Sequence, residues 1–279
     1  MPRRHDRSTW SSLTRALTRV AELENGLLGV TIDHGQSFNQ FLVGQLEDKS
    51  SLEVKLWLYE QLTDYGCDWI VVSLDLLSAG VRGDTGLWLG SRDFIFEKES
   101  PYAISFAWDE LLLAAKESEC EGVKIGLIIG KSRKLLPRIG SAIQSIEHEA
   151  KGMGLRIILE PTFESGFSRS DFEWMVNLAD EQRVDFLKLP LPSAARIVGL
   201  FESRQFSWFA RSNDLTISEY AAGVETARAF GCVGTLAGRA AWHDCLKMAA
   251  EGGLNDAAAL KLRDDLDSLR RALEAVASD

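Results

Sequence analysis

No apolar run in this 279-residue chain approaches the ~20 residues of a membrane span, so no transmembrane helix is expected. The start, MPRRHDRSTW, is basic but has no apolar core, so it does not read as a signal peptide. It reads as an N-terminal extension over residues 1–20, with one domain over residues 21–279. Basic residues are the minority: 31 Lys and Arg against 41 Asp and Glu give a formal net charge of −10. Nucleic-acid phosphates reward a positive surface, so this balance argues against a nucleic-acid partner. Cysteine is sparse and scattered: Cys67, Cys120, Cys232 and Cys245 form no C-x-x-C pair. Neither a disulfide framework nor a zinc site is suggested, and the four read as reduced thiols of a cytoplasmic protein. The four histidines, His5, His34, His148 and His243, are equally dispersed, and no metal-ligand spacing appears.

What is present is alternation. Short apolar runs lie at 27–32, 69–74, 86–90, 123–129, 155–160, 185–189, 207–211 and 233–237. Segments of helical period separate them, at 51–65, 132–151, 170–182, 193–203 and 216–230, with a charged amphipathic stretch at 255–277. Ser170, Ser193 and Ser218 are candidate helix starts, although Ser218 could equally lie in a first turn. Residues 91–107 are irregular and could hold a loop or an extra strand. Eight strands alternating with helices predict a single-domain α/β fold, a (β/α)8 TIM barrel. Continuous apolar strands suit a parallel sheet covered on both faces.

Such barrels place their sites at the C-terminal ends of the strands. The polar residues expected there are Asp33-His34-Gly35, Ser73, Asp75, Lys124, Glu160, Lys188, Arg211-Ser212-Asn213-Asp214 and Gly238-Arg239. Lys188 stands out, inside the apolar stretch VDFLKLPLP (184–192). Lysine is almost never fully buried unless it is paired or used. A lysine with a carboxylate and a second lysine nearby suggests imine chemistry. Burial and a neighbouring cation such as Lys124 would lower the pKa of Lys188 and free its lone pair. Glu160 or Asp33 would then move protons. Gly238-Arg239 offers backbone N–H groups and a guanidinium suited to a phosphate.

The motifs GVKIGLII (122–129), LRIILEP (155–161), VDFLKLPLP (184–192) and GTLAGRAAW (234–242) come in an order that resembles a known family. It is the class I, Schiff-base aldolases that include tagatose-bisphosphate aldolase and sulfofructose-phosphate aldolase. More distantly, Asp33-His34-Gly35 is similar to the DHG motif of archaeal-type class I fructose-bisphosphate aldolases. The resemblance covers roughly residues 20–250. It implies a lyase cleaving a phosphorylated ketose without metal or other cofactor. In that pattern Lys188 forms the Schiff base, Lys124, Glu160 and Asp33 assist, and Ser212 and Arg239 hold a phosphate. Asn213, Gly238 and His34 join the candidate binding residues. Three positions depart from the pattern: Ser73 replaces a strand-two aspartate, Gly130 an aromatic, and Asn213-Asp214 follow Ser212 where a Ser-Gly turn is usual. Asp214 would repel a phosphate unless it points away or pairs with Arg211.

Plainer readings stand beside these. Lys188 could pack its stem and send its head to water. Asp33 could cap a turn with Gly35, Glu160 could serve a structural ion pair, and His34 could be satisfied within its turn. Two other functions remain open: Schiff-base or transaldolase-like chemistry on an unphosphorylated or sulfonated sugar, and a non-catalytic barrel binding a sugar phosphate. A homo-oligomer is also open, with no interface legible.

Overall fold

The computed structural model describes residues 26–34, 49–82, 86–91, 94–96, 102–129, 136–163, 168–191 and 207–275, with positions 38, 39, 42, 46 and 166. The first half of the chain forms β1 (Leu27–Thr31), α1 (Ser51–Tyr65), β2 (Trp69–Val72), α2 (Leu74–Ser78), β3 (Leu87–Gly90), β4 (Phe94–Phe96), α3 (Tyr102–Glu117) and β5 (Gly122–Ile129). Then come α4 (Leu136–Gly152), β6 (Arg156–Phe163), α5 (Arg169–Glu181), β7 (Phe186–Pro190), β8 (Ser207–Arg211), α6 (Ile217–Arg228), β9 (Cys232–Ala237), α7 (Arg239–Gly252) and α8 (Asp256–Glu274). All pairings between strands are parallel, in the order β3-β2-β1-β9-β8-β7-β6-β5-β4, and a further β3–β5 pairing closes the ring. The fold is a single-domain (β/α)8 barrel.

Nine strands make eight staves because β3 and β4 lie end to end along β5. Strand β3 pairs with Gly122–Lys124 and β4 with Leu127–Ile129. Ser91 bridges the break: its N–H donates to the Lys124 carbonyl (2.8 Å) and its Oγ accepts from Gly126 N–H (3.2 Å). The irregular stretch 91–107 thus holds both an extra strand and the start of α3.

Side chains alternate between two buried clusters along the strands, as pleated backbone requires. Leu28, Val30, Ile70, Val72, Leu87, Leu89, Val123, Ile125, Ile157, Leu159, Leu187 and Leu189 belong to the cluster packed under the helices. The alternate residues Leu27, Trp69, Val71, Trp88, Ile158, Phe186, Phe209 and Leu236 form a second cluster inside the ring. Trp69 anchors it, with ring centroids 4.7 Å from Trp88 and 5.0 Å from both Phe186 and Phe209. The Arg156 guanidinium lies over three of these rings, 5.0 Å from that of Trp88, and pairs with Glu121. The strands therefore look uniformly apolar in sequence because both of their faces are buried.

Several expected boundaries move. Strand β2 ends at Val72, with Ser73 at the N-cap of α2 and Asp75 in its first turn. Strand β6 does not end at Glu160 but continues through Pro161 to Phe163. It pairs with β5 along its whole length and with β7 at Ile158–Phe186 and Leu159–Leu187. Pro161, which has no N–H to give, thus falls beyond the β7 register, where a proline costs least. The cap of α5 is Ser168, not Ser170, and that of α6 is Thr216, not Ser218. In each the cap hydroxyl and an acidic residue three positions on, Asp171 or Glu219, satisfy each other's N–H groups. Those earlier residues win because the carboxylate must sit at the third helical position. The helix expected at 193–203, with Ser193 as its cap, and the extension at 1–20 lie outside the described residues.

This assignment is directly testable. Thr216→Ala should cost about 1 kcal/mol in urea unfolding, and Ser218→Ala only a few tenths. Equal losses would put the helix start elsewhere.

Candidate active site

The alternation that packs the ring also aims its charges. Lys124 occurs between Val123 and Ile125, and Lys188 between Leu187 and Leu189, and those flanking residues all join the outer cluster. Both lysines consequently point inward, and Lys188 is only 2% exposed. Glu160 follows Ile158 on the inward face of β6, and Asp33 lies just beyond β1.

These groups meet. Lys124 Nζ lies 2.6 Å from Glu160 Oε2 and 2.8 Å from Asp33 Oδ2. Lys188 Nζ lies 3.1 Å from the other Glu160 oxygen, Oε1. Arg211 reaches the same oxygen at 3.7 Å, and its Nη1 donates to Thr162 Oγ1 (2.8 Å) and the Pro161 carbonyl (3.2 Å). The four predicted catalytic residues therefore form one buried cluster, and Arg211 is a fifth member not singled out from the sequence. Its visible signal was its place at the end of a barrel strand. Gly90 is a second unforeseen member: a Cβ there would overlap the Asp33 carboxylate. Only glycine leaves Asp33 room to reach Lys124.

The two lysines differ sharply in electrostatics. Burial opposes the charge of Lys124, but Asp33 and Glu160 together overcome it and hold its pKa above the ordinary lysine value. For Lys188 burial prevails: the attraction of Glu160 is partly cancelled by the repulsion of Lys124, and the pKa falls to about 8. Burial disfavours the Glu160 anion, yet Lys124, Lys188 and Arg211 hold its pKa well below the usual carboxylate range. His34 lies beside Asp33, its Nδ1 3.9 Å from Oδ1, with its ring edge-on to Trp242 at 5.5 Å. Burial pulls the imidazole down to about 4 despite Asp33, so it is neutral at pH 7.

The residues expected at a phosphate gather at the adjoining rim. The Oγ of buried Ser212 accepts from Gly238 N–H (3.3 Å). A Cβ at Gly238 would stand 3.1 Å from His34 Nε2, which places Gly238 and His34 in contact range. Asn213 adopts φ +48° and turns the chain. Asp214 does not pair with Arg211, which is engaged with Glu160 and β6. It pairs instead with Arg239 at 2.6 Å. Asp75 does not join the buried cluster either: with Ser73 it holds Lys55 of α1, at 3.1 and 2.9 Å. Gly130 lies outside the described residues. Trp242 is buried and donates from Nε1 to the Thr31 carbonyl (3.1 Å), so its role is packing. Among the described residues, no three His, Cys, Asp or Glu side chains are grouped to hold a metal ion, and no helix is long and apolar enough to cross a membrane.

The architecture places the chain among parallel barrels that carry their chemistry at the strand ends. No protein-family model matches the sequence, and no curated protein matches it. Solved structures do share the fold. The chain is similar to Cgl0159 from Corynebacterium glutamicum, with 16% identity, a TM-score of 0.61, and coverage of 99% of this chain and 100% of that one. It is also similar to an archaeal fructose-1,6-bisphosphate aldolase with its catalytic Lys covalently bound to the carbinolamine intermediate of the substrate. There the identity is 12% and the TM-score 0.56, over 88% of this chain and 95% of that one. Orotidine 5′-monophosphate decarboxylase from Methanocaldococcus jannaschii matches at 11% and 0.53, over 88% and 98%. Barrels with different chemistries thus lie at similar distances, and at these identities the likeness establishes the fold alone.

The state of His34 has a measurable consequence. Its folded pKa lies below its unfolded value, so between pH ~6.5 and ~4 the unfolded chain binds the extra proton and stability falls with pH. Denaturant unfolding should show His34→Asn losing less stability than the parent by pH ~4.5, the difference being about 2 kcal/mol. Parallel pH profiles would mean that the imidazole is not held neutral.

Proposed function

We propose that this chain is a class I aldolase that cleaves a phosphorylated ketose, reversibly, through a Schiff base on Lys188. One observation carries the reading: the amine of Lys188 is buried inside the barrel, 3.1 Å from an ionised carboxylate, with its pKa lowered to about 8. An amine at the ordinary pKa of ~10.4 is almost wholly protonated at neutral pH. A pKa of about 8 leaves roughly a tenth of it free at pH 7. Lys124 is unsuited to the attack because two carboxylates hold it as an ammonium. The likeness to the archaeal aldolase fold and the motif order support the same assignment.

In this reading the neutral amine of Lys188 attacks the ketose carbonyl carbon, and the carbonyl oxygen takes a proton to give a carbinolamine. The Lys124 ammonium is the donor facing that oxygen. Glu160, kept anionic by three cations, accepts the proton lost from the amine and returns it as the hydroxyl leaves as water. The resulting iminium is the electron sink. A carboxylate, Asp33 or Glu160, takes the proton of the hydroxyl β to the imine carbon, the adjacent C–C bond breaks and an aldehyde departs. The enamine left behind is protonated at carbon and hydrolysed, freeing dihydroxyacetone phosphate and Lys188. The imine stabilises the carbanion, so no step calls on a metal. Ser212, Asn213, Gly238, Arg239 and His34 border the end of the substrate remote from the cleavage. The Asp214–Arg239 pair favours a second reading, the same chemistry on a sugar lacking a phosphate there.

Borohydride reduction with dihydroxyacetone phosphate should leave an adduct on the peptide carrying Lys188 and none after Lys188→Ala. A folded protein with no adduct on Lys188 would end this reading for that substrate. Trapping should also accelerate as pH rises towards 8, because the unprotonated amine is the reactant. Lys124→Met removes a repelling cation and releases two carboxylates towards Lys188. The midpoint of that profile should therefore move up by about one pH unit or more. A midpoint that stays or falls would show that Lys124 does not set the basicity of Lys188.

A further inference from the structure

The rim beside the lysines carries a charge arrangement that the imine chemistry leaves unused. Past Arg211 the chain turns through Ser212, Asn213 and Asp214, with Leu215 N–H donating to the Ser212 carbonyl (3.1 Å). The left-handed backbone of Asn213, φ +48°, sets the direction in which Asp214 leaves this turn. On the next stave Gly238 leads into α7, and Arg239 reaches across to Asp214 at 2.6 Å. Beside Gly238 the Thr31 hydroxyl is fully buried and, among the described residues, has no hydrogen-bond partner. It would stand 3.3 Å from a Cβ at Gly238, and His34 Nε2 would stand 3.1 Å from it. The Arg239 guanidinium, the Asn213 turn and the Gly238 backbone thus lie along one rim. The cation already has its anion.

We propose that Asp214 is a specificity-determining residue, a built-in counter-ion for Arg239 that weakens this rim's hold on a phosphate dianion relative to a singly charged or neutral substrate end. Arginine facing open solvent would attract phosphate with paired N–H donors. With a carboxylate on that guanidinium, a dianion must either displace Asp214 or approach it, and the penalty grows with the charge brought in. Asp214 is 83% exposed at its side chain, so solvent screens the effect and keeps it modest. The neutral imidazole of His34 adds no compensating positive charge. This inference rests on the aldolase reading for the ligand's being a ketose, but not for the behaviour of the rim towards anions.

The test compares borohydride trapping of dihydroxyacetone phosphate and of dihydroxyacetone on the whole chain. In Asp214→Asn, the half-saturating concentration of the phosphorylated ketone, relative to the neutral one, should fall about three- to tenfold at pH ~7.5. The gain should shrink at pH ~5.5, where phosphate is mostly singly charged. In an Arg239→Met background the same substitution should give no such gain. A ratio that is unchanged or rises in Asp214→Asn overturns the proposal, as does a gain that persists without Arg239. If neither ketone forms an adduct on the unmodified chain, the aldolase reading fails on its own. Thermal unfolding with inorganic phosphate then decides: a larger rise in melting temperature for Asp214→Asn supports the counter-ion, and an equal or smaller rise overturns it.

Discussion

Glu160 holds three cations with two oxygens, and the character of the barrel interior depends on that arrangement. Lys124 takes one oxygen at 2.6 Å, while Lys188 and Arg211 approach the other at 3.1 and 3.7 Å. With Asp33 the cluster contains two carboxylates against three potential cations. A buried site resists net charge because a low-dielectric interior pays for it in lost solvation. Lys124 is secured by two carboxylates and a guanidinium does not release its proton. The imbalance is eased most readily at Lys188, the lysine with the weaker hold on a carboxylate, whose proton is the more easily lost. The depressed pKa of that lysine is a property of the cluster as much as of its own burial.

The barrel makes this cluster possible by supplying direction and dryness together. A pleated strand sends alternate residues to opposite faces, and closure turns one of those faces into an enclosed interior. Below the charges that interior is filled by Trp69, Trp88, Phe186 and Phe209, with Phe209 in register beside Lys188. Above them the stave formed by β3 and β4 is broken, and Ser91 repairs its hydrogen bonds across the gap. Gly90, at the end of β3, leaves the space that Asp33 occupies. The aromatic floor and the absent side chain at position 90 serve the same end, a short and desolvated contact between lysine and carboxylate.

Barrels related by fold alone carry decarboxylase as well as aldolase chemistry, so what sets this chain apart is its charge cluster rather than its fold. Two features distinguish it. The lysines are separated by their partners into one held as an ammonium and one whose proton is more easily lost, a division that the proposed chemistry at a carbonyl would use. At the rim, Asp214 pairs with Arg239 as the counter-ion to which the proposed charge preference is assigned. In the proposed reading the first feature bears on the reaction and the second on its scope, and they lie on different staves.

Much of this was legible in the chain itself. Eight apolar runs alternating with helical segments are enough for a parallel barrel, because each strand must bury both faces. A lysine flanked by leucines, and another between valine and isoleucine, declare themselves as inward-facing by parity. Local signals that compete at short range were harder to read. Ser168 rather than Ser170, and Thr216 rather than Ser218, cap their helices because reciprocal bonding to Asp171 and Glu219 chooses between adjacent hydroxyls. The third stave was obscure because its repair runs through Ser91 to β5, a partner more than thirty residues away. Arg211, Gly90 and the pairing of Asp214 were decided only by tertiary structure. Arg211 is one of several polar residues in its segment until Glu160 and Thr162 are brought beside it, and Gly90 is an ordinary strand-end glycine until Asp33 arrives. Residue identity and period determine which side of a strand a group faces; which charges then meet, and hence which of two buried lysines keeps its proton, is settled only when the ring closes.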